Sequence, residues 1–271
     1  MINQNILERK GARKVEEVPE EVLELLNTAK IPTVNLTEWL AVDHVMIIEN
    51  AFPDLGLNET ISGVITIIQN LKKPTSMSIT REVGTYLGSY SLIRDISLAT
   101  YQSMSSHPSD SVRCYAPYII GLNEQMSLNE KLEIASVSAA DEHFGVREIA
   151  WMALRPSLDA ELPLAIELLS KWTKDPDPNV RRFASEATRP RGVWCKHIDQ
   201  LKEHPEKALP ILNPLKSDTT KYVQDSVGNW LNDASKTRPD FVISVCERWS
   251  QESPTKETAK IIKKAMRSLE K

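Results

Sequence analysis

Three segments repeat one phrase at a fixed distance. Val112-Arg113-Cys114-Tyr115-Ala116, Val146-Arg147-Glu148-Ile149-Ala150 and Val180-Arg181-Arg182-Phe183-Ala184 begin 34 residues apart, and a looser copy, Val223-Gln224-Asp225-Ser226-Val227, follows after 43. Arg155-Pro156 and Arg189-Pro190 recur at the same interval of 34 and read as helix stops. A period of this length holds two helices and their turns. Such a pair can bury its apolar face only against its neighbours, which commits the chain to a stacked array.

The fold class that follows is all-α: a HEAT-like helical-repeat solenoid, an α-α superhelix with a basic concave groove. Tetratricopeptide arrays share the shorter period, but their Trp/Gly/Tyr pattern is missing. Nine glycines among 271 residues and few runs of alternating apolar residues agree with helix throughout. Three regions are expected: 1–106, helices completing the solenoid behind a charged arm at 1–18; 107–250, the repeats proper; and 251–271, a basic capping helix. Within the first, one helix is predicted from Asn35 or Thr37 to near Pro53, a buried one over Ile61–Lys72, and two more over Thr75–Gly88 and Ser91–Ser105. Ser127-Leu128-Asn129-Glu130 reads as a capping box. Leu162–Thr173, Pro205–Leu215 and Pro239–Trp249 are the later outer helices.

No apolar run approaches the 18 residues a membrane span needs, and Met1 starts no signal-like pattern, so a soluble, cytoplasmic monomer with no membrane partner is expected. Cys114, Cys195 and Cys246 stand far apart and outside any CxxC pattern, which fits a reducing compartment. The five histidines form no HExxH, and no phosphate-binding loop or nucleophile elbow is present, so neither metal nor cofactor is expected. Charge is uneven: residues 1–170 hold 13 Lys and Arg against 23 Asp and Glu, and 171–271 hold 20 against 14. A local basic surface on an acidic chain is therefore open, as is the plainer reading of solvated helix faces.

Asp175–Trp194 is the densest segment. Asp177 as N-cap and Pro178 in the first turn start a helix that runs to about Arg189. Val180, Phe183, Ala184 and Ala187 fall on one side, while Arg182, Glu186 and Arg189 form a stripe expected to face outward. Arg113, Arg147 and Arg181, each directly after the valine, suit either phosphate binding or a ladder of ion pairs between adjacent repeats. Arg182, Arg189 and Arg191 lie off that ladder position and, with Lys196, make the better phosphate candidates. Trp151, Trp194 and Trp230 sit among polar residues, where an indole could stack on a base or sugar or could simply be core. Glu186 and Asp233 would project into one groove roughly a helix spacing, about 10 Å, apart. There they could stabilise a cationic transition state, or serve as salt-bridge partners of the same arginines.

VRRFASEATRPRGVW and SVGNWLNDASKTRPD resemble the paired motifs of the AlkC branch of the HEAT-repeat DNA glycosylases, over about residues 107–250. The resemblance implies hydrolysis of the glycosidic bond of N-alkylated purines, such as 3-methyladenine, in double-stranded DNA, probing the base without full flipping. Glu186 and Asp233 would then stabilise the sugar cation and place water, with Trp151 or Trp230 offering an electron-rich face. Arg182, Arg189 and Arg191 would hold phosphates; Arg147, Trp194 and Lys196 complete the expected DNA-contacting set. The family's segment E-F-x-V-R-P-F here reads His143-Phe144-Gly145-Val146-Arg147-Glu148-Ile149, so an acid is missing at 143, with Glu142 or Glu148 nearest. A non-catalytic HEAT scaffold binding DNA structures or a protein is the alternative.

Overall fold

A computed structural model describes residues 2–269. Seventeen α-helices and short 3₁₀ turns account for its regular structure, with no strand among the described residues. They are α1 (Gln4–Leu7), α2 (Glu20–Asn27), α3 (Leu36–Ala41), α4 (His44–Ala51), α5 (Ile61–Gln69), α6 (Ser76–Ile93), α7 (Ser97–Ser105), α8 (Asp110–Gly121), α9 (Leu128–Ala139) and α10 (Phe144–Ala160). There follow α11 (Leu162–Trp172), α12 (Pro178–Ala187), α13 (Asp199–Glu203), α14 (Leu209–Leu212), α15 (Lys221–Ser235), α16 (Pro239–Glu252) and α17 (Lys256–Met266). The chain divides into two compact units, Met1–Leu154 and Arg155–Lys271.

In the first unit α8 is the central helix, buried along its whole length because α4, α6, α7 and α9 all pack on it. Its close approach to α6 depends on Gly84: a Cβ there would stand 2.7 Å from the Tyr115 carbonyl oxygen. The amino-terminal arm is fastened by Arg9, whose guanidinium grips Glu38 at 2.9 and 2.7 Å and donates to the Ile6 and Pro32 carbonyls.

Several helix boundaries differ from the sequence expectation, each for a local reason. The single helix expected from Asn35 to Pro53 is two, because Asp43 turns its side chain onto the Val45 and Met46 N–H groups and caps a new helix. The helix expected to run to Lys72 ends at Gln69 and buries only Val64 and Ile68. The break before α7 falls at Asp95, at φ 56°. Pro205–Leu215 is a 3₁₀ turn followed by one α-helical turn. Arg155-Pro156 does not stop its helix. Leu158, just beyond, is fully buried, and that packing outweighs a proline penalty of about 3 kcal/mol; Arg191-Gly192-Val193, after Pro190, has nothing comparable to bury. The Ser127–Glu130 capping box forms as expected.

The arginine after each valine has a fixed task. Arg113, Arg147 and Arg181 each donate to the carbonyls six and five residues earlier, His107 and Pro108, Asp141 and Glu142, Asp175 and Pro176. Gln224, at the same place in the loose fourth copy, donates to the Asp218 carbonyl at 2.8 Å. Arg113 also pairs side-on with Asp141 at 2.9 and 3.1 Å, and Arg181 with Asp218 at 2.7 and 3.2 Å. These are the ladder between adjacent repeats. Asp141 and Asp218, which receive these arginines, each turn the loop before the next helix by accepting an N–H two residues on.

One buried histidine makes the first unit acid-sensitive. Burial pushes the His44 imidazole down to about 4, against a smaller upward pull from Asp43, and its Nδ1 lies 2.6 Å from the Tyr115 hydroxyl. The unfolded chain takes up this proton near pH 6.5 and the folded chain only near 4. The stability His44 contributes is therefore complete above 6.5 and is lost as pH falls toward 4, by about 3 kcal/mol. Urea titrations at pH 7 and 4.5 should show His44→Asn losing about 2–3 kcal/mol less across that interval than the wild type. Equal losses would mean that other groups set the acid limb.

Candidate active site

The site lies in the second unit, on α12 and α15. Asp177 accepts the Asn179 N–H, Pro178 opens the first turn, and α12 then buries Val180, Arg182, Phe183, Ala184, Ser185, Glu186 and Ala187. The stripe expected to face outward is thus turned inward. Its polar residues meet those of α15, which packs along α12, and the two helices share an ion network.

Arg189 is the centre of that network. Its Nη1 donates to Glu186 Oε1 at 2.7 Å, and its Nε and Nη2 reach Asp233 Oδ2 at 2.8 and 2.7 Å. One guanidinium bridges both candidate acids, which brings them well inside the ~10 Å helix spacing expected. Glu186 Oε2 accepts the Ser226 hydroxyl at 2.7 Å and lies 3.4 Å from Arg182 Nη2. Ser185 stands 2.8 Å from Ser226, and Lys236 reaches Asp233 Oδ1 at 3.4 Å. Arg182 also lies 4.4 Å over the Tyr222 ring, a cation–π contact. Glu186 and Asp233 are each 4% exposed.

The charges hold one another in place. Burial would push the Glu186 carboxyl up, but Arg182 and Arg189 with the Ser226 hydrogen bond outweigh it and hold it below the ordinary glutamate value. For Arg189, burial pulls down and the two carboxylates more than compensate, so its pKa is raised. Glu186 is therefore an anion at neutral pH and no proton donor. A fixed anionic pair of this kind can stabilise a cation and orient water.

The carboxy-terminal end of α12 is pinned by backbone acceptors. Trp230 Nε1 donates to the Thr188 carbonyl at 2.9 Å, and Arg155, 3% exposed, donates to the carbonyls of Ala187, Arg189 and Lys196 at 2.8, 2.6 and 2.8 Å. The loop beyond, closed by Ile198 N–H on the Pro190 carbonyl, carries Trp194, which is 79% exposed at φ 66°. Lys196 is also exposed, 3.7 Å from Asp159, while half-buried Arg191 reaches the Thr237 hydroxyl at 3.3 Å.

Of the other candidates, Trp230 and Trp151 present no indole face to solvent, being 0 and 1% exposed. Trp151, in the first unit, donates to Glu148 Oε2 at 2.9 Å, which occupies that substitute acid; Glu142 points outward. Arg147 is held by the ladder carbonyls. His143, where an acid was expected, caps α10: its Nδ1 accepts the Gly145 N–H at 3.2 Å, and it lies 3.0 Å from the Thr33 hydroxyl and 3.3 Å from Asp110. Arg155, Ser226, Tyr222 and Lys236 were missed from sequence. For Arg155 a signal existed, since it stands 34 residues before Arg189 in the repeated Arg-Pro pair.

Residues 145–269 match the model of the DNA alkylation repair enzyme family. Over 128 residues the chain is 41% identical to the uncharacterized Bacillus subtilis protein YhaZ, covering 47% of this chain and 35% of that protein. It thus spans about a third of that relative's length. Among solved structures it is similar to the Pseudomonas fluorescens alkylpurine DNA glycosylase AlkC, bound to DNA containing an abasic site analog, with a TM-score of 0.66 and 23% identity over 96% of this chain and 66% of that one. It is also similar to AlkD2 from Streptococcus mutans, with a TM-score of 0.56 and 23% identity over 82% of this chain and 96% of that one. At such identities the likeness is one of fold.

Proposed function

We propose that the chain, whose residues 145–269 match the model of the DNA alkylation repair enzyme family, is a DNA glycosylase that excises N-alkylated purines, such as 3-methyladenine, from double-stranded DNA. The observation that carries the reading is the pair of carboxylates, Glu186 and Asp233, joined through Arg189. A purine alkylated on a ring nitrogen is already cationic. Breaking its bond to C1′ leaves the electron pair with a neutral base and the positive charge on the sugar. Two fixed carboxylates lower the energy of that sugar cation, and one of them accepts the proton of the attacking water as the abasic site forms. Protonation of the leaving group is not required, in keeping with an ionised Glu186. The chemistry can proceed without extruding the base fully, since the acids act on the sugar. Arg191, Trp194 and Lys196 serve DNA contact in this reading, with exposed Trp194 best placed to stack; Arg182 and Arg189 instead hold the carboxylates.

A second reading, a non-catalytic scaffold that binds DNA or a protein partner, is favoured by the burial of both acids and their saturation by arginines. Incubation with methylated duplex DNA and chromatography of the free bases separates the two. Release of 3-methyladenine is the expected result; bound DNA with no free base would leave the scaffold.

A further inference from the structure

The carboxy-terminal helix carries a second feature of the same face. Asp177, Thr220 and Thr255 are the N-caps of α12, α15 and α17, and the residue three positions after each, Val180, Val223 and Thr258, is buried. The three helices are therefore in one register. Five, nine and twelve residues after the cap stand Arg182, Glu186 and Arg189 on α12, Asp225, Asn229 and Asn232 on α15, and Lys260, Lys264 and Arg267 on or just beyond α17. The last row is wholly cationic.

Contacts place that row beside the candidate site. Ser226, Trp230 and Asp233 of α15 face α12. Asp225, Gly228 and Asn232 face α17: Lys264 pairs with Asp225, Arg267 Nε donates to Asn232 Oδ1 at 3.0 Å, and a Cβ on Gly228 would stand 2.8 Å from the Lys264 Cβ. Between the two sides run Tyr222, Asn229 and Lys236, still partly exposed. Asp225 is shared by Lys264 and Lys221, so the cluster keeps a positive excess. Lys260 is exposed.

We propose that α17 is a working helix of this face rather than a cap, and that Lys260, Lys264 and Arg267 bind the phosphates of duplex DNA beside the carboxylate pair. The proposal rests on the DNA reading above. A membrane surface would need an exposed apolar face on the helix, and Ile261 and Ala265 are fully buried.

Anisotropy titrations of an unmodified 20-bp duplex between 50 and 200 mM salt test it. Each lost phosphate contact lowers the slope of log K against log salt by about 0.9. Lys260→Gln should lower it by about 0.9 and the double variant with Lys264→Gln by about 1.8, with Lys73→Gln, on the first unit, unchanged. Lys260→Gln guards against misfolding at Lys264, and melting curves check both. DNA bound with unaltered slopes would make α17 a cap and overturn the proposal alone. No DNA binding by the wild type would remove the functional reading as well. Wild-type binding to phosphatidylglycerol vesicles as tight as to DNA, lost in the same variants, would assign the row to a membrane and overturn it.

Discussion

Glu186→Gln lowers the single-turnover rate of base release from methylated DNA by about 10³-fold or more, while DNA affinity and the fold persist. The isosteric amide can still accept from Arg189 and stay in contact with Ser226, whose bonds to Glu186 are 2.7 Å each in the wild type, so the stability lost is about 1–3 kcal/mol. In a chain of this size that is a Tm decrease of roughly 10 °C or less. The rate depends on the anion itself, because the neutral amide offers the sugar cation only a dipole. Loss of about 4 kcal/mol of transition-state stabilisation gives the factor of 10³. Asp233→Asn should behave alike, and the double variant should fall little further, since both acids act on one cation through one guanidinium. Arg182 and Arg189 hold Glu186 below the ordinary value of 4.5 despite its burial, so its titration adds no acid limb to the rate between pH 5 and 8. Base release at the wild-type rate would reduce the pair to a salt bridge. Unfolding by more than about 5 kcal/mol would do the same, as expected when an uncompensated buried charge is left behind.

Features set by near neighbours along the chain were legible in the sequence. The 34-residue repeat, the Asp177 cap and the Ser127–Glu130 box each depend on residues within one turn or on strict periodicity, and each is found. The ladder was legible because the Val-Arg phrase repeats beside the aspartates that receive it. What a helix face meets is a different matter. Helical spacing groups Arg182, Glu186 and Arg189 correctly, but their environment is Ser226 and Asp233, some 40 residues further on, and so the stripe lies inward. Trp230 has polar neighbours in sequence, yet its indole serves the Thr188 carbonyl 42 residues away. The missing acid at 143 has the same origin: His143 answers to Thr33 and Asp110, neither near it in the chain.

Arg155 is where this long-range dependence has its largest structural consequence. Its planar guanidinium spans three carbonyls that no single ammonium can reach together, and two of them, Ala187 and Arg189, end the helix that carries the site. The third, Lys196, lies in the loop that carries Trp194. Gly192 leaves room for this clamp, since a Cβ there would come within 3.0 Å of the Arg155 Cζ. Burial pulls the Arg155 pKa down, so the site holds this charge at a cost, and its hydrogen bonds run to backbone carbonyls. Arg155→Ala leaves three acceptors without their donor and should destabilise the protein by about 4 kcal/mol. Arg155→Lys should lose about half as much, and at a temperature where it is fully folded its single-turnover rate should still fall 10- to 100-fold with DNA affinity little changed, because Arg189 no longer holds the two acids in register. A lower Tm with an undiminished rate would show instead that Arg155 staples the loop to the repeat and leaves the carboxylate pair to Arg189 alone.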